Sequence, residues 1–336
     1  MQLRQIGIPA LLGSFLLLGG MTNAAAEVNT VSIAEQYGIS YLPLMMMEEN
    51  KLLEKEAKAA GLGDITVKWA KFAGGNVMND ALLSGDLQFA SGGLGPFITL
   101  WAKTRDNIGV KAVAAMNSMP LLLNTRNPAV KTIKDFGPKD KIALPAVKVS
   151  IQAITLQMAA EKAFGPDQQN KLDSITVTQS HPDGMAAMLS GSEINSHFTS
   201  PPFQYVELQK PGIHTVLNSY EVTGGPHTFN VVWASKKFVD ANPKTYAAFL
   251  KAFDGAIATI NKDKKAAAEF YIKSSKSKET VESVEKMLND PDIKFTTTPE
   301  NSMKYAEFMF RVSMVKAKPA SWKDMYFPNV HSLPGS

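Results

Sequence analysis

The chain has 336 residues, with 35 Lys and Arg against 31 Asp and Glu, a formal net charge of +4 and no cysteine. So mild a charge, with both signs interspersed, excludes the basic footprint of a nucleic-acid-binding protein. The missing cysteine excludes a disulfide framework, a thiol nucleophile and a lipid carried on an N-terminal Cys.

Residues 1–26 read as an export signal. Arg4 in MQLRQ precedes the run IGIPALLGSFLLLGG, too short and Gly-rich for a comfortable membrane span. Small residues at Ala24 and Ala26 place cleavage after Ala26. About 310 residues remain, enough for two domains or one large one. Arg4 is the only charge lost, and no later stretch is long and apolar enough to cross a bilayer.

Strand and helix patterns then alternate. TVSIAEQ (30–36) is a strand, LPLMMMEENKLLEKEAKAAG (42–61) a helix closed by Gly61, and ITVKWAKF (65–72) a strand. AGGNVMNDALLSG leads into a short helix, LQFAS into a strand, PFITLWAKTR into a helix and VKAVAAM into a strand. This order predicts a largely parallel sheet with helices on both faces.

A second unit follows. PLLLNTR (120–126) and KIALPA (141–146) are strands, and SIQAITLQMAAEKAFG (150–165) is a helix capped by Ser150 and closed by Gly165. SITVTQS and INSHF are strands flanking the helix PDGMAAMLSG, and IHTVLNS and FNVVWAS follow. After Lys236 the chain reads as mostly helical, with no internal repeat or low-complexity tract. Two α/β units in an exported chain suggest two lobes with a cleft, where ligands sit beyond the carboxyl ends of the strands.

The loops at those ends share one chemistry. QYGIS (36–40), AGGN (73–76), SGGLGP (91–96) and AVKVS (146–150) each follow a strand, and the last three run into helix starts. Free N–H groups and the positive end of a helix dipole favour an anion there. Gly and Ser equally serve as turn and cap residues. The candidate ligand-binding residues are Gln36, Tyr37, Gly38, Gly74, Gly75, Asn76, Ser91, Gly92, Gly93, Asn117, Lys148 and Ser150. HFTSPPF (197–203) is a proline-stiffened corner that cannot lie inside a central strand. It adds His197, Thr199 and Ser200, with Phe198 or Phe203 as an apolar wall, and His181 lies in a nearby loop.

Other chemistry finds no motif. The Gly loops lack the Walker lysine and the dinucleotide fingerprint, no G-x-S-x-G occurs, and the five His show no metal-site spacing. Met45, Met46 and Met47 are consecutive, so they point different ways around a helix and fill core. No catalytic group, cofactor or metal is expected.

The order of these loops resembles, almost end to end, the periplasmic binding proteins of the nitrate/sulfonate/taurine transport class, which includes the thiamine-precursor-binding type. WAKFAGGNVMNDALLSGDLQFASGGLGP carries the closest likeness, with VSIAEQYGISYLPLMMMEENKLLEKEA before it and NPAVKTIKDFGPKDKIALPAVKVS and MLSGSEINSHFTSPPF after it. The chain departs from many relatives at Gln88 and in INSHFTSPPF, where they carry Asp, Asp-Ala-Trp and Asp-Pro. The resemblance implies a type II periplasmic binding fold, with two α/β lobes joined by two hinge crossings around a ligand cleft. One lobe would be 27–119 plus 225–336, the other 120–224. It implies a monomeric periplasmic protein that captures a small organic anion and hands it to the separate permease and ATPase chains of an ABC importer. A thiamine- or flavin-precursor heterocycle is the alternative ligand, and a chemosensory protein an alternative role. An enzyme of the same fold, the thiamine pyrimidine synthase, would carry a Cys-rich motif and an intracellular address.

Overall fold

Val31 and Ile33 alternate with Thr30 and Ser32 in the first strand, β1 (Thr30–Glu35), and both are fully buried. That period of two is what seats a strand against a core. The computed structural model describes residues 26–336, so the expected export signal lies, Ala26 apart, outside the described residues. β1 is followed by α1 (Leu42–Glu49), α2 (Leu52–Ala59), β2 (Thr66–Lys71), α3 (Gly75–Ser84), β3 (Ala90–Gly93), α4 (Leu94–Thr104) and β4 (Val110–Ala115). The single helix expected over 42–61 is two helices. Asn50 folds its amide back onto the Met46 carbonyl, and Lys51 adopts a left-handed conformation at φ +50° that ends the first one. The three methionines of α1 are buried in the core.

Short β5 (Asn117–Ser118) leads to β6 (Leu122–Thr125), β7 (Ile142–Leu144), α5 (Ile151–Phe164), β8 (Thr176–Thr178), α6 (His181–Leu189), β9 (Ser196–Phe198) and α7 (Phe203–Leu208). Then come β10 (His214–Asn218), α8 (Ser219–Thr223), β11 (Asn230–Ser235), α9 (Lys236–Ala241), α10 (Pro243–Lys262), α11 (Lys264–Ser275), α12 (Val281–Leu288), β12 (Lys294–Phe295), α13 (Ser302–Arg311) and α14 (Trp322–Met325).

Apart from β5 and β12, which pair with each other, the described strands form two sheets of one design. The first runs β2-β1-β3-β11-β4, its β1 and β3 joined through the Ile33–Phe89 bridge, and the second runs β8-β7-β9-β6-β10. In each sheet the fourth strand, β11 or β6, is antiparallel to both neighbours. Each of these strands arrives from the other sheet. The expected largely parallel sheets are therefore mixed, because a strand returning from the other lobe enters against the local direction.

The first lobe is held by aromatic packing. Phe89 stacks on Phe249 of α10 at 3.9 Å, and Ala248, Phe249, Ala252, Phe253, Ala256 and Ile260 form the buried stripe of that helix. The second lobe has fewer large apolar groups and many buried polar ones, with Asn124, Ser196, His197, Thr199, Gln204 and Glu207 all fully enclosed. The crossings between sheets run side by side. Phe229 N–H donates to the Asn117 carbonyl (3.0 Å), and Ser219 Oγ accepts from Leu121 N–H (2.8 Å) and lies 2.8 Å from His227 Nε2.

Candidate ligand-binding cleft

Four helices begin at one cavity between the lobes. Gly75 and Asn76 open α3, Gly93 caps α4, Ser150 to Gln152 open α5 and His181 opens α6, and all line it. Each helix start carries unpaired N–H groups and about half a positive charge. Gln36, Tyr41 and Asn230 add neutral polar side chains, Pro96, Pro145 and Phe229 add apolar wall, and no Asp, Glu, Lys or Arg lines the cavity. It encloses about 20 Å³, room for one water-sized group.

The lobes touch around it. A Cβ on Gly93 would fall 2.6 Å from Ile151 Cγ2, and one on Gly95 would fall 2.3 Å from the Val149 carbonyl oxygen. Only glycine lets α4 approach the start of α5 this closely. On the far side of the cleft Glu161 and Arg311 form a two-armed ion pair, both bonds 2.6 Å, and Thr155 Oγ1 lies 2.9 Å from the Tyr305 hydroxyl.

Gln36 separates this inner cavity from an outer one of about 430 Å³ at the cleft mouth. Tyr37, Gly38, Met45, Lys71, Met185 and Phe203 are among the outer residues. Lys71 sits 5.7 Å over the Tyr37 ring and 2.9 Å from buried Glu35. Burial, opposed by Lys71, pushes Glu35 up to about 7. Tyr41 is raised well above the ordinary phenol range by burial and by the Glu35 charge, so its hydroxyl keeps its proton. Asn230 Nδ2 donates to that hydroxyl (3.0 Å).

Gln36, Gly74, Gly75, Asn76, Gly93, Ser150 and His181 of the expected set converge on the inner cavity, and Tyr37 and Gly38 on the outer one. Others stand elsewhere. Ser91 and Gly92 lie behind Gln36, the Ser91 hydroxyl donating to the Ala34 carbonyl. Asn117 sits at the crossing, donating to the Ser40 carbonyl (2.7 Å). Lys148 is exposed at φ +64°, its ammonium left in water, and reaches neither cavity. The Ser150 hydroxyl is already spent, donating to the Ala146 carbonyl (2.8 Å) and accepting from Ala153 N–H (3.2 Å) as a helix cap. His197 and Thr199 stand behind His181, and Ser200 is fully buried, its hydroxyl without a hydrogen-bond partner among the described residues. Phe198 fills core, while Phe203 stacks on His181 at 5.6 Å.

Tyr41, Gln152 and Asn230 went unread. Gln152 had a usable signal, a polar side chain in the first turn of a helix aimed at the cleft. Asn230 and Tyr41 had none, since Asn230 reaches the cavity through the pairing of β11 and Tyr41 from a short turn before α1, neither of which local sequence encodes.

This architecture is that of the periplasmic binding proteins. The alkanesulfonate-binding protein SsuA of Xanthomonas axonopodis pv. citri, bound to MOPS, superposes with a TM-score of 0.68 at 16% identity over 87% of this chain and 96% of its own. The nitrate-binding protein NrtA of Synechocystis PCC 6803 gives 0.68 at 16% over 89% and 84%, and the aliphatic sulphonate-binding SsuA of Escherichia coli 0.64 at 17% over 90% and 92%. No curated protein sequence matches the chain significantly. The model of the NMT1-like family matches residues 24–273, and the chain belongs to that family.

Proposed function

We propose that the protein is the extracytoplasmic solute-binding component of an ABC importer. It would capture a small organic anion, a sulfonate or carboxylate, between lobes 27–119 plus 225–336 and 120–224, and deliver it to a membrane permease. The observation that carries this is the meeting of four helix N-termini on one cavity with no charged side chain in its wall. Such a wall binds negative charge through N–H groups and dipoles. With the lobes parted beyond the one-water space they leave here, the inner cavity would take the compact oxygen-bearing head, and the body would extend past Gln36 toward Tyr37, Phe203 and Lys71. The Lys71 ammonium and the aromatic rings there suit an apolar or heterocyclic body. The two crossings act as the hinge on which the lobes open and close. Cleavage after Ala26 would release it into the periplasm as a monomer, and no chemical step is performed.

The sulfonate- and nitrate-binding neighbours support the class of ligand but share only the fold at this level of identity. A thermal-shift screen tests the reading, using nitrate, ethanesulfonate, MOPS, short carboxylates and neutral pyrimidines. Stabilisation by oxyanion-headed compounds alone is expected. Stabilisation by neutral pyrimidines alone would replace the anion with a heterocycle.

A further inference from the structure

Behind the cleft wall lies a buried chain of polar groups. Glu207 Oε1 meets His197 Nδ1 at 2.6 Å, His197 Nε2 faces His181 Nδ1 at 3.5 Å, and His181 Nε2 reaches the Gln152 amide at 3.3 Å. Glu207 and His197 are fully buried, and Asn124 Nδ2 donates to Glu207 Oε2 (2.9 Å). Asn124 is itself fixed, its oxygen accepting from Thr215 Oγ1 (2.8 Å) and its nitrogen donating also to the Gln204 carbonyl. Among the described residues the chain contains no other charged group. A net charge at such depth costs several kcal/mol, so the Glu207–His197 pair is electroneutral.

Electroneutrality fixes a hydrogen position. As an ion pair, His197 is an imidazolium and carries N–H on both nitrogens. As a neutral pair, the Glu207 proton sits on the carboxyl facing Nδ1, and His197 carries its own hydrogen on Nε2. Both forms put an N–H on the nitrogen that faces His181 Nδ1. Thr199 points the same way. Its hydroxyl lies 3.0 Å from His181 Nδ1, its only side-chain hydrogen-bond partner among the described residues. His181 Nδ1 thus meets two donors and must be the acceptor. Burial, with a second imidazole beside it, holds His181 well below the ordinary imidazole range, so the ring is neutral. Its one hydrogen is left on Nε2, at the cavity. The Gln152 amide then turns its oxygen to that hydrogen and its NH₂ to the cavity, an assignment the hydrogen-bond pattern dictates.

We propose that Glu207, His197 and Thr199 are positioning residues that lock His181 as an Nε2–H donor to the Gln152 oxygen, which turns the Gln152 NH₂ to the cavity, so that the second lobe accepts only a ligand group bearing a hydrogen-bond acceptor and rejects ammonium heads. The proposal rests on the cleft being the ligand site, but the lock itself needs no ligand. Long-range ¹H–¹⁵N correlation spectra of ¹⁵N-histidine protein at neutral pH read it directly. With five histidines, the His181→Asn spectrum assigns the signal. His181 is expected with Nε2 protonated and Nδ1 bare. An Nδ1–H tautomer or an imidazolium would overturn the proposal.

Glu207→Gln should keep the Nε2–H form, because Asn124 holds the amide oxygen and leaves its NH₂ facing His197 Nδ1. The double change His197→Phe with Thr199→Val removes both donors and should release the tautomer to a mixture. An unchanged tautomer in a folded double variant would overturn the lock. If that variant does not fold, the parent and Glu207→Gln spectra still decide. In thermal shift, ethanesulfonate should stabilise the parent and ethylammonium should not, and stabilisation by ethylammonium would overturn the selectivity. The Nε2–H form without any oxyanion binding would leave the lock standing and remove the importer reading instead.

Discussion

In the first lobe the helix starts at the cleft carry Gly74, Gly75 and Gly93, and what they offer is mainly backbone N–H. In the second lobe the corresponding starts carry Gln152 and His181, and what they offer is side chains braced from behind. The sheets share one strand order, so topology does not account for the difference. The cores differ in the same sense, stacked aromatics in the first lobe against enclosed polar groups in the second. Helix starts made of glycine let the lobes approach, while fixed side chains at the helix starts help select what is held between them. On the proposed reading the first lobe's helix starts serve closure and the second lobe's serve specificity, beside the polar groups that Gln36, Tyr41 and Asn230 add from the first lobe.

The contrast breaks first at Glu207. Glu207→Ala leaves His197 buried without its carboxylate and should cost about 3–5 kcal/mol in urea unfolding. A cost under about 1 kcal/mol would mean that the second lobe does not depend on its polar core.

Next comes the first lobe's own buried carboxylate, Glu35, raised from 4.5 to about 7 by burial. Between those values the folded state keeps a proton that the unfolded state has released, so stability falls as pH rises through the window from 4.5 to 7. The loss is on the order of 3 kcal/mol. Unfolding measured from pH 5 to 8 should show it, and Glu35→Gln should flatten the profile. A parent profile that rises through this range would contradict the burial account.

A smaller effect sharpens the closure half. Gly95→Val places carbon into the Val149 carbonyl and Ile154, so the variant should fold while its lobes stay apart. The strain in the closed form is about 1–3 kcal/mol. A larger radius of gyration in solution scattering is the expected sign, and a parent-like profile would show that the contact yields. The smallest effect belongs to Arg311→Ala, because the ion pair with Glu161 is largely exposed on the arginine side. Its loss should weaken closure by less than about 1 kcal/mol and vanish in high salt.

Much of the fold was legible. Both ends of α5 follow from the Ser150 cap and Gly165, and the helical run after Lys236 is borne out by α10 and α11. The break at Lys51 was not, since no residue type there announces a left-handed turn. The reversed strands β6 and β11 were not, because strand direction depends on which lobe the chain has come from. In the cleft the glycine-bearing helix starts could be read, as their physics is local. His197 could be noticed but not explained, because Glu207 meets it only once α7 folds back over β9. The surroundings of Lys148 and Ser150 could not be read for the same reason. Both lie in the right loop, but only tertiary structure shows one side chain in water and the other spent on its own helix.

Calorimetric titration of the tightest compound from the screen into the parent and into Gln152→Ala tests the division of labour most directly. Gln152 lines the cavity from the second lobe. Its loss should weaken binding about ten- to a hundredfold, as for a charge-assisted hydrogen bond, with unfolding changed by less than about 1 kcal/mol. Parent-like affinity in a normally folded Gln152→Ala would contradict the claim that the second lobe's side chains choose the ligand.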